Sequence, residues 1–154
     1  MYKEGAWNDN QYWSWALQQW NLDMTVERIT KLLIDGYEVD EKVAEVIKKV
    51  RGNGYKTLIC SNNFPVRIRG LQGRFGFLDN FDAWALSYEV GATKPSVEIF
   101  QKLVEKSGVL ANEIVFADDN QENLDGAKKV GINTLFYKNF EKYLEDLRNL
   151  GVKI

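Results

Sequence analysis

The sequence has no histidine, which removes every mechanism that needs an imidazole acid or base and every His-ligated metal. It has a single cysteine, Cys60, so no internal disulfide can form. That residue lies inside an apolar run and reads as a buried thiol of a reducing, cytoplasmic compartment. No apolar run approaches membrane-spanning length, and no membrane partner is expected. No targeting segment is evident: the N-terminus is Trp-rich, polar and mildly acidic rather than a basic leader followed by an apolar stretch. A basic field is lacking too. The net charge is −2, with 20 Lys and Arg spread among 22 Asp and Glu, so no nucleic-acid partner is expected.

What is present fits one domain. A chain of 154 residues, 45% hydrophobic and 27% charged, has the size and composition of a soluble globular protein with a sizeable core. Residues 7 to 34 read as mostly helical, and Trp7, Trp13, Trp15 and Trp20 give that region a strongly aromatic face. Thr25 offers a cap before Val26, Ile29, Leu32 and Leu33 at helical spacing. Asp40 can cap, and "GNG" can end, a helix carrying Val43, Val46, Ile47 and Val50.

From residue 41 onward helices alternate with short apolar strands, in "YKTLICSNN", around Ala83 to Ser87, in "EIVFADDN" and in "NTLFY". The segment "FPVRIRGLQGRFG" stays open between helix and irregular turn because of its glycines. Pro95 is expected at a helix start. Such alternation, with nearly all-apolar strands, predicts an α/β fold: a Rossmann-like parallel sheet in three layers, preceded by a helical lobe.

In open parallel sheets, ligands bind at the carboxyl ends of the strands. Three strands end in informative residues there: Ser61, Asn62 and Asn63; Asp118, Asp119 and Asn120; and the strand that leads on to Lys94. Taken singly, such residues begin turns and cap helices. Their coincidence in three successive units points instead to a magnesium and phosphate site. Paired carboxylates suit Mg²⁺, and hydroxyl, amide and ammonium donors suit phosphoryl oxygens. Asp119 can cap the following helix while Asp118 points into the cleft. Cys60 is a poor nucleophile, having no histidine partner.

These residues resemble the motifs of the haloacid dehalogenase-like (HAD) hydrolases, over essentially the whole chain. "LLIDGYEVDEKVAEVIKKVRGNGYKTLICSNN" looks like the end of a small helical cap, the return to the core and the second motif, with Ser61 and Asn62 in it. "GATKPSVEIFQKLVEKSG" is similar to the third motif, with Lys94 as its lysine. "IVFADDNQENLDGAKKVGINTLFY" is similar to the fourth, with Asp118 and Asp119 as its acidic pair. The resemblance implies catalytic roles for Ser61 and Lys94, phosphate binding by Ser61, Asn62 and Lys94, and Mg²⁺ on Asp118 and Asp119. It implies a small phosphorylated substrate and a phosphoaspartyl intermediate formed on an attacking aspartate.

That aspartate is the departure. The first motif, an apolar strand followed by Asp-x-Asp-x-Thr, is not found. "KLLIDGYEVDE" leads an apolar run to Asp35, but Gly36 and Tyr37 follow it and the run fits a helix. The expectation is therefore a helical cap remnant at 1–37 and a HAD-like core at 38–154 lacking its first strand. The chain reads as a phosphatase-like hydrolase by descent, truncated and impaired or inactive by itself, with Mg²⁺ bound weakly if at all. The alternative is a non-catalytic oligomeric or phosphate- and Mg²⁺-binding protein. In the family the missing strand is central to the sheet. The chain must close the sheet directly, recruit another segment or pair with a second copy, and a homo-oligomer is expected.

Overall fold

The computed structural model describes residues 1–154. Helix α1 (Asp9–Gln19) begins at Asn8, whose side chain accepts the Gln11 N–H while the Gln11 side chain accepts the Asn8 N–H. Thr25 caps α2 (Val26–Asp35) and Asp40 caps α3 (Glu41–Gly52), as their positions predict. The N-terminal helical region is thus two helices, parted by a turn in which Asn21 takes a left-handed φ of 51°.

The alternating part follows: β1 (Leu58–Ser61), α4 (Pro65–Phe75), β2 (Ala83–Leu86), the short α5 (Ser87–Val90), α6 (Val97–Ser107), β3 (Val115–Asp118), α7 (Gln121–Lys128), β4 (Asn133–Phe136) and α8 (Phe140–Asn149). Helix α4 settles the segment that the sequence left open. Pro65 fits its first turn, Gly76 ends it at a φ of 61°, and Gly70 lets it lie against α2. A Cβ at Gly70 would sit 2.5 Å from Ile34 Cγ1. Pro95 stands two residues ahead of α6, whose N-cap position is Ser96.

The strands form two separate parallel pairs, not one sheet. In the first, Leu58 lies opposite Ala83 and Ser61 opposite Leu86. In the second, Val115 lies opposite Asn133 and Asp118 opposite Phe136. The option that the sheet closes directly is therefore not met. β1 and β3 do not pair.

A single core nevertheless runs beneath both pairs. Ala85 from β2, Ile99 and Phe100 from α6, Phe116 from β3 and Leu124 from α7 are buried in one cluster. Helix α6 packs on β1 and β2, α7 on β3 and β4, and the two helices touch. Connections between parallel strands are right-handed, so two crossovers that step the same way place α6 and α7 on one face.

A second, aromatic cluster joins the N-terminal segment to the end of β1. Tyr2, Trp13 and Phe64 are buried together, with Tyr2 stacked on Tyr12 at 4.1 Å and on Phe64 at 5.2 Å between centroids. Asp9 is the polar anchor of this contact: it accepts from the Tyr2 hydroxyl, the Val66 N–H and the Arg69 guanidinium. Asp9→Ala should cost about 2 kcal/mol, because it leaves two half-buried donors unpaired. Arg69→Ala should cost about 0.5 kcal/mol, the guanidinium being mostly exposed. Urea unfolding midpoints measure both.

Candidate active site

The carboxyl ends of β1 and β3 meet through one lysine. The Asn62 side chain, directly after β1, grips the Lys94 backbone from both sides. Its Oδ1 accepts the Lys94 N–H at 2.7 Å and its Nδ2 donates to the Lys94 carbonyl at 3.0 Å. Lys94 then reaches Asp118, the last residue of β3, with Nζ 2.6 Å from Oδ2. Both side chains are largely buried, 11% and 8% exposed. The ammonium also lies 5.3 Å from the centroid of the Phe116 ring, an additional favourable contact for a cation.

Asp118 is held from its other oxygen as well. Oδ1 accepts the Asn120 N–H and the Asn123 Nδ2, each at 2.9 Å. Burial pushes the Asp118 carboxyl up, but the donors from Lys94, Asn123 and Asn120 outweigh it and hold it below the usual carboxylate range. The Cys60 thiol has no such support. Burial raises it to about 12, the nearby Lys94 offsetting only part of the effect, so Cys60 stays neutral and no thiolate nucleophile forms.

The sequence-derived residues fall into two groups. Ser61, Asn62, Lys94 and Asp118 are gathered at one end of the strands. Asp119 is not: it is exposed and takes no part in the hydrogen bonds that hold Asp118. Nor does Asp119 cap α7, because Asn120 does so, accepting the Glu122 N–H at 2.9 Å. Asparagine caps as well as aspartate does, and Asp119 lies in the bend just past β3.

Two residues of the site escaped the sequence reading. Asn123 sits in the first turn of α7 and aims at Asp118; its spacing from a strand-end carboxylate is the signal that could have found it. Ser87, fully buried at the end of β2, accepts the Asn63 N–H at 3.0 Å and donates to the Asn63 carbonyl at 3.1 Å. It fixes the path of the chain just past Ser61, and only the pairing of β1 with β2 reveals it.

The arrangement can bind anions better than cations. Ser61 offers a hydroxyl and Lys94 has donors to spare. Mg²⁺ prefers near-octahedral oxygen ligation through carboxylates, waters and phosphate. No group of three or more metal-ligating side chains lies together, Asp118 already accepts three hydrogen bonds, and the Lys94 ammonium stands where a cation on Oδ2 would sit. These residues, as arranged, do not fit a resident Mg²⁺.

Comparison with known proteins bears on the fold and the family. A HAD family enzyme of Bacteroides thetaiotaomicron, solved in complex with magnesium and inorganic phosphate, superposes with a TM-score of 0.82 at 21% identity, covering 93% of this chain and 77% of that one. An uncharacterized protein of Dictyostelium discoideum is 30% identical, the match covering 92% of this chain and 76% of the relative. The D-ribitol-5-phosphate phosphatase of Bacteroides thetaiotaomicron is 35% identical over 69 residues, 45% of this chain and 34% of that protein. The family model for haloacid dehalogenase-like hydrolases matches residues 12–131, and the chain belongs to that family.

Proposed function

We propose that the chain carries the phosphate-binding half of a phosphatase-type HAD site, for a small phosphorylated molecule, and is catalytically impaired by itself. The observation that carries this reading is the closed Lys94–Asp118 pair, 2.6 Å apart, with no other carboxylate facing it. In the reaction that the family motifs imply, an aspartate attacks phosphorus. Here no side chain in the cluster is free to do so: Asp118 is engaged at both oxygens by Lys94, Asn120 and Asn123, the Ser61 hydroxyl lacks a base, and Cys60 is held neutral. Ser61 and Lys94 would donate to phosphoryl oxygens, and Asn62 would hold the lysine in place. Residues 1–37 serve as a cap remnant over a core of 38–154, which the packing of Tyr2 and Trp13 on Phe64 supports.

Inorganic phosphate binding tests this reading. Calorimetry should find weak binding to the chain, and Lys94→Met should weaken it by about 10-fold, the share of one charge-assisted hydrogen bond. Affinity unchanged by that substitution would put the anion site elsewhere. The second reading, a non-catalytic homo-oligomer, has one observation in its favour. Trp15 and Trp20 of the α1 region remain 46% and 54% exposed, and large exposed aromatics are frequent at protein interfaces.

A further inference from the structure

We infer that Arg67 binds a carboxylate on the small phosphorylated molecule, at the end away from the phosphoryl group that Lys94 holds. Arg67 is half-buried, and its guanidinium lies over two rings, 4.5 Å from the Phe64 centroid and 5.4 Å from that of Tyr37. Its Nε is sealed from solvent without a hydrogen-bond partner, the only buried side-chain nitrogen or oxygen of the chain left so. The two Nη atoms are not sealed in this way, and they take part in no hydrogen bond or ion pair. The other arginines differ. Arg51, Arg69 and Arg74 each reach an acceptor. Arg28 and Arg148 do not, but both are exposed to water. Arg67 alone is withdrawn from water and lacks an acceptor.

Three costs fall on this one side chain. A charge withdrawn from water is unfavourable unless it is paired. An unsatisfied buried donor adds to that cost. The rings attract the cation, but they accept none of the five N–H groups that a guanidinium offers. The third cost comes from position. Arg67 stands in the first turn of α4, where the helix dipole disfavours a cation and no acidic residue accompanies it. Phe64, the N-cap residue of that helix, supplies no side-chain cap. A bound anion reverses all three costs at once.

The location suits a group on the substrate. Helix α4 starts four residues past Ser61, the end of β1. Arg67 therefore stands at the same end of the strands as Asn62, which holds the Lys94 backbone. Chain length alone keeps the Cα atoms of Asn62 and Arg67 within about 18 Å. Tyr37 lies just past α2 and Phe64 just past β1, so the guanidinium sits where the N-terminal helices meet the strands. Charge and shape select a carboxylate. The arginines nearest in sequence are engaged elsewhere, Arg69 by Asp9 and Arg74 by the Ile34 carbonyl. One guanidinium neutralises one negative charge, and its edge presents paired N–H groups to the two oxygens of a carboxylate. Glu38, beside Tyr37, does not take that place: it is exposed and makes no ion pair with Arg67.

The inference rests on the phosphatase-type reading of the site, and the two fail distinguishably. The test is calorimetry of the full chain with phosphonates, which resist hydrolysis. Alkylphosphonates of three to six carbons are each compared with the phosphonate of the same length that ends in a carboxylate. At one length or more, the carboxylate form should bind about 10-fold tighter than its alkyl partner, the share of one charge-assisted contact. Arg67→Met, checked for native circular dichroism, should bring the two members of that pair to equal affinity. Arg67→Lys, which keeps the charge but not the paired N–H edge, is the second variant and should also lower the advantage. Lys94→Met should weaken both members by the same factor. Equal affinity within every pair, an advantage that survives both Arg67 substitutions, or a loss that the alkyl form shares equally would each overturn the proposal. Inorganic phosphate bound through Lys94 with no carboxylate advantage overturns this inference alone. Failure of inorganic phosphate and of every phosphonate to bind overturns the phosphatase-type reading with it.

Discussion

Asp118→Asn should destabilise the protein by about 3 kcal/mol, the loss expected when one partner of a buried ion pair is removed. The substitution keeps an oxygen for Asn120 and Asn123 but strips the counter-charge from Lys94, which is 11% exposed and has no other acceptor. For a chain of this length the melting temperature should fall by about 6–12 °C. Lys94→Met in the same background should recover much of the loss, since an apolar side chain of similar length removes the stranded charge. The pH dependence has a definite sign. Asp118 is held below its unfolded value, so its contribution is complete above the ordinary carboxylate range of about 4. It is lost as pH falls through the lower, folded-state value. The Asp118→Asn protein should lack that part of the acid slope in urea unfolding midpoints taken from pH 7 to pH 3.

Gly126→Ala should destabilise by about 2 kcal/mol although it places a better helix former in α7. Alanine in a helix interior gains about 1 kcal/mol over glycine. Against that, a Cβ at Gly126 would lie 2.2 Å from the Pro95 carbonyl oxygen and 2.9 Å from Phe100 Cε2. Neither can yield easily: Phe100 is fully buried, and Pro95 follows Lys94, whose backbone Asn62 holds at both polar groups. The steric term, about 3 kcal/mol for overpacking, wins. The damage should reach the site, because pushing Pro95 outward pulls Lys94 from Asp118. Thermal unfolding measures the first effect, and the loss of phosphate affinity in the folded variant measures the second.

Much of this was legible in the sequence because it is local. The caps Thr25 and Asp40, the alternation of helix and strand, and the polar residues that end β1 and β3 all follow from propensity and period. What escaped depends on contacts between distant segments. Gly70 reads as a helix breaker until α2 is seen to need the space beside it. Ser87 acquires its role only when β1 and β2 pair. Asp119 and Asn120 are nearly equivalent as caps in a list of residues, and only the start of α7 at Gln121 decides between them. The break between β1 and β3 is the least local feature of all, since the apolar composition of each strand does not say which strand it pairs with and only the sheet order shows it.

The central proposal is that Lys94 belongs to a phosphate-binding site in which no side chain of these 154 residues is free to attack phosphorus. Hydrolysis of a panel of small phosphate esters by the chain alone, with Mg²⁺, tests it most directly, run beside Asp118→Asn. The account predicts that both proteins give the same rate as buffer. Turnover by the chain that Asp118→Asn abolishes would contradict it.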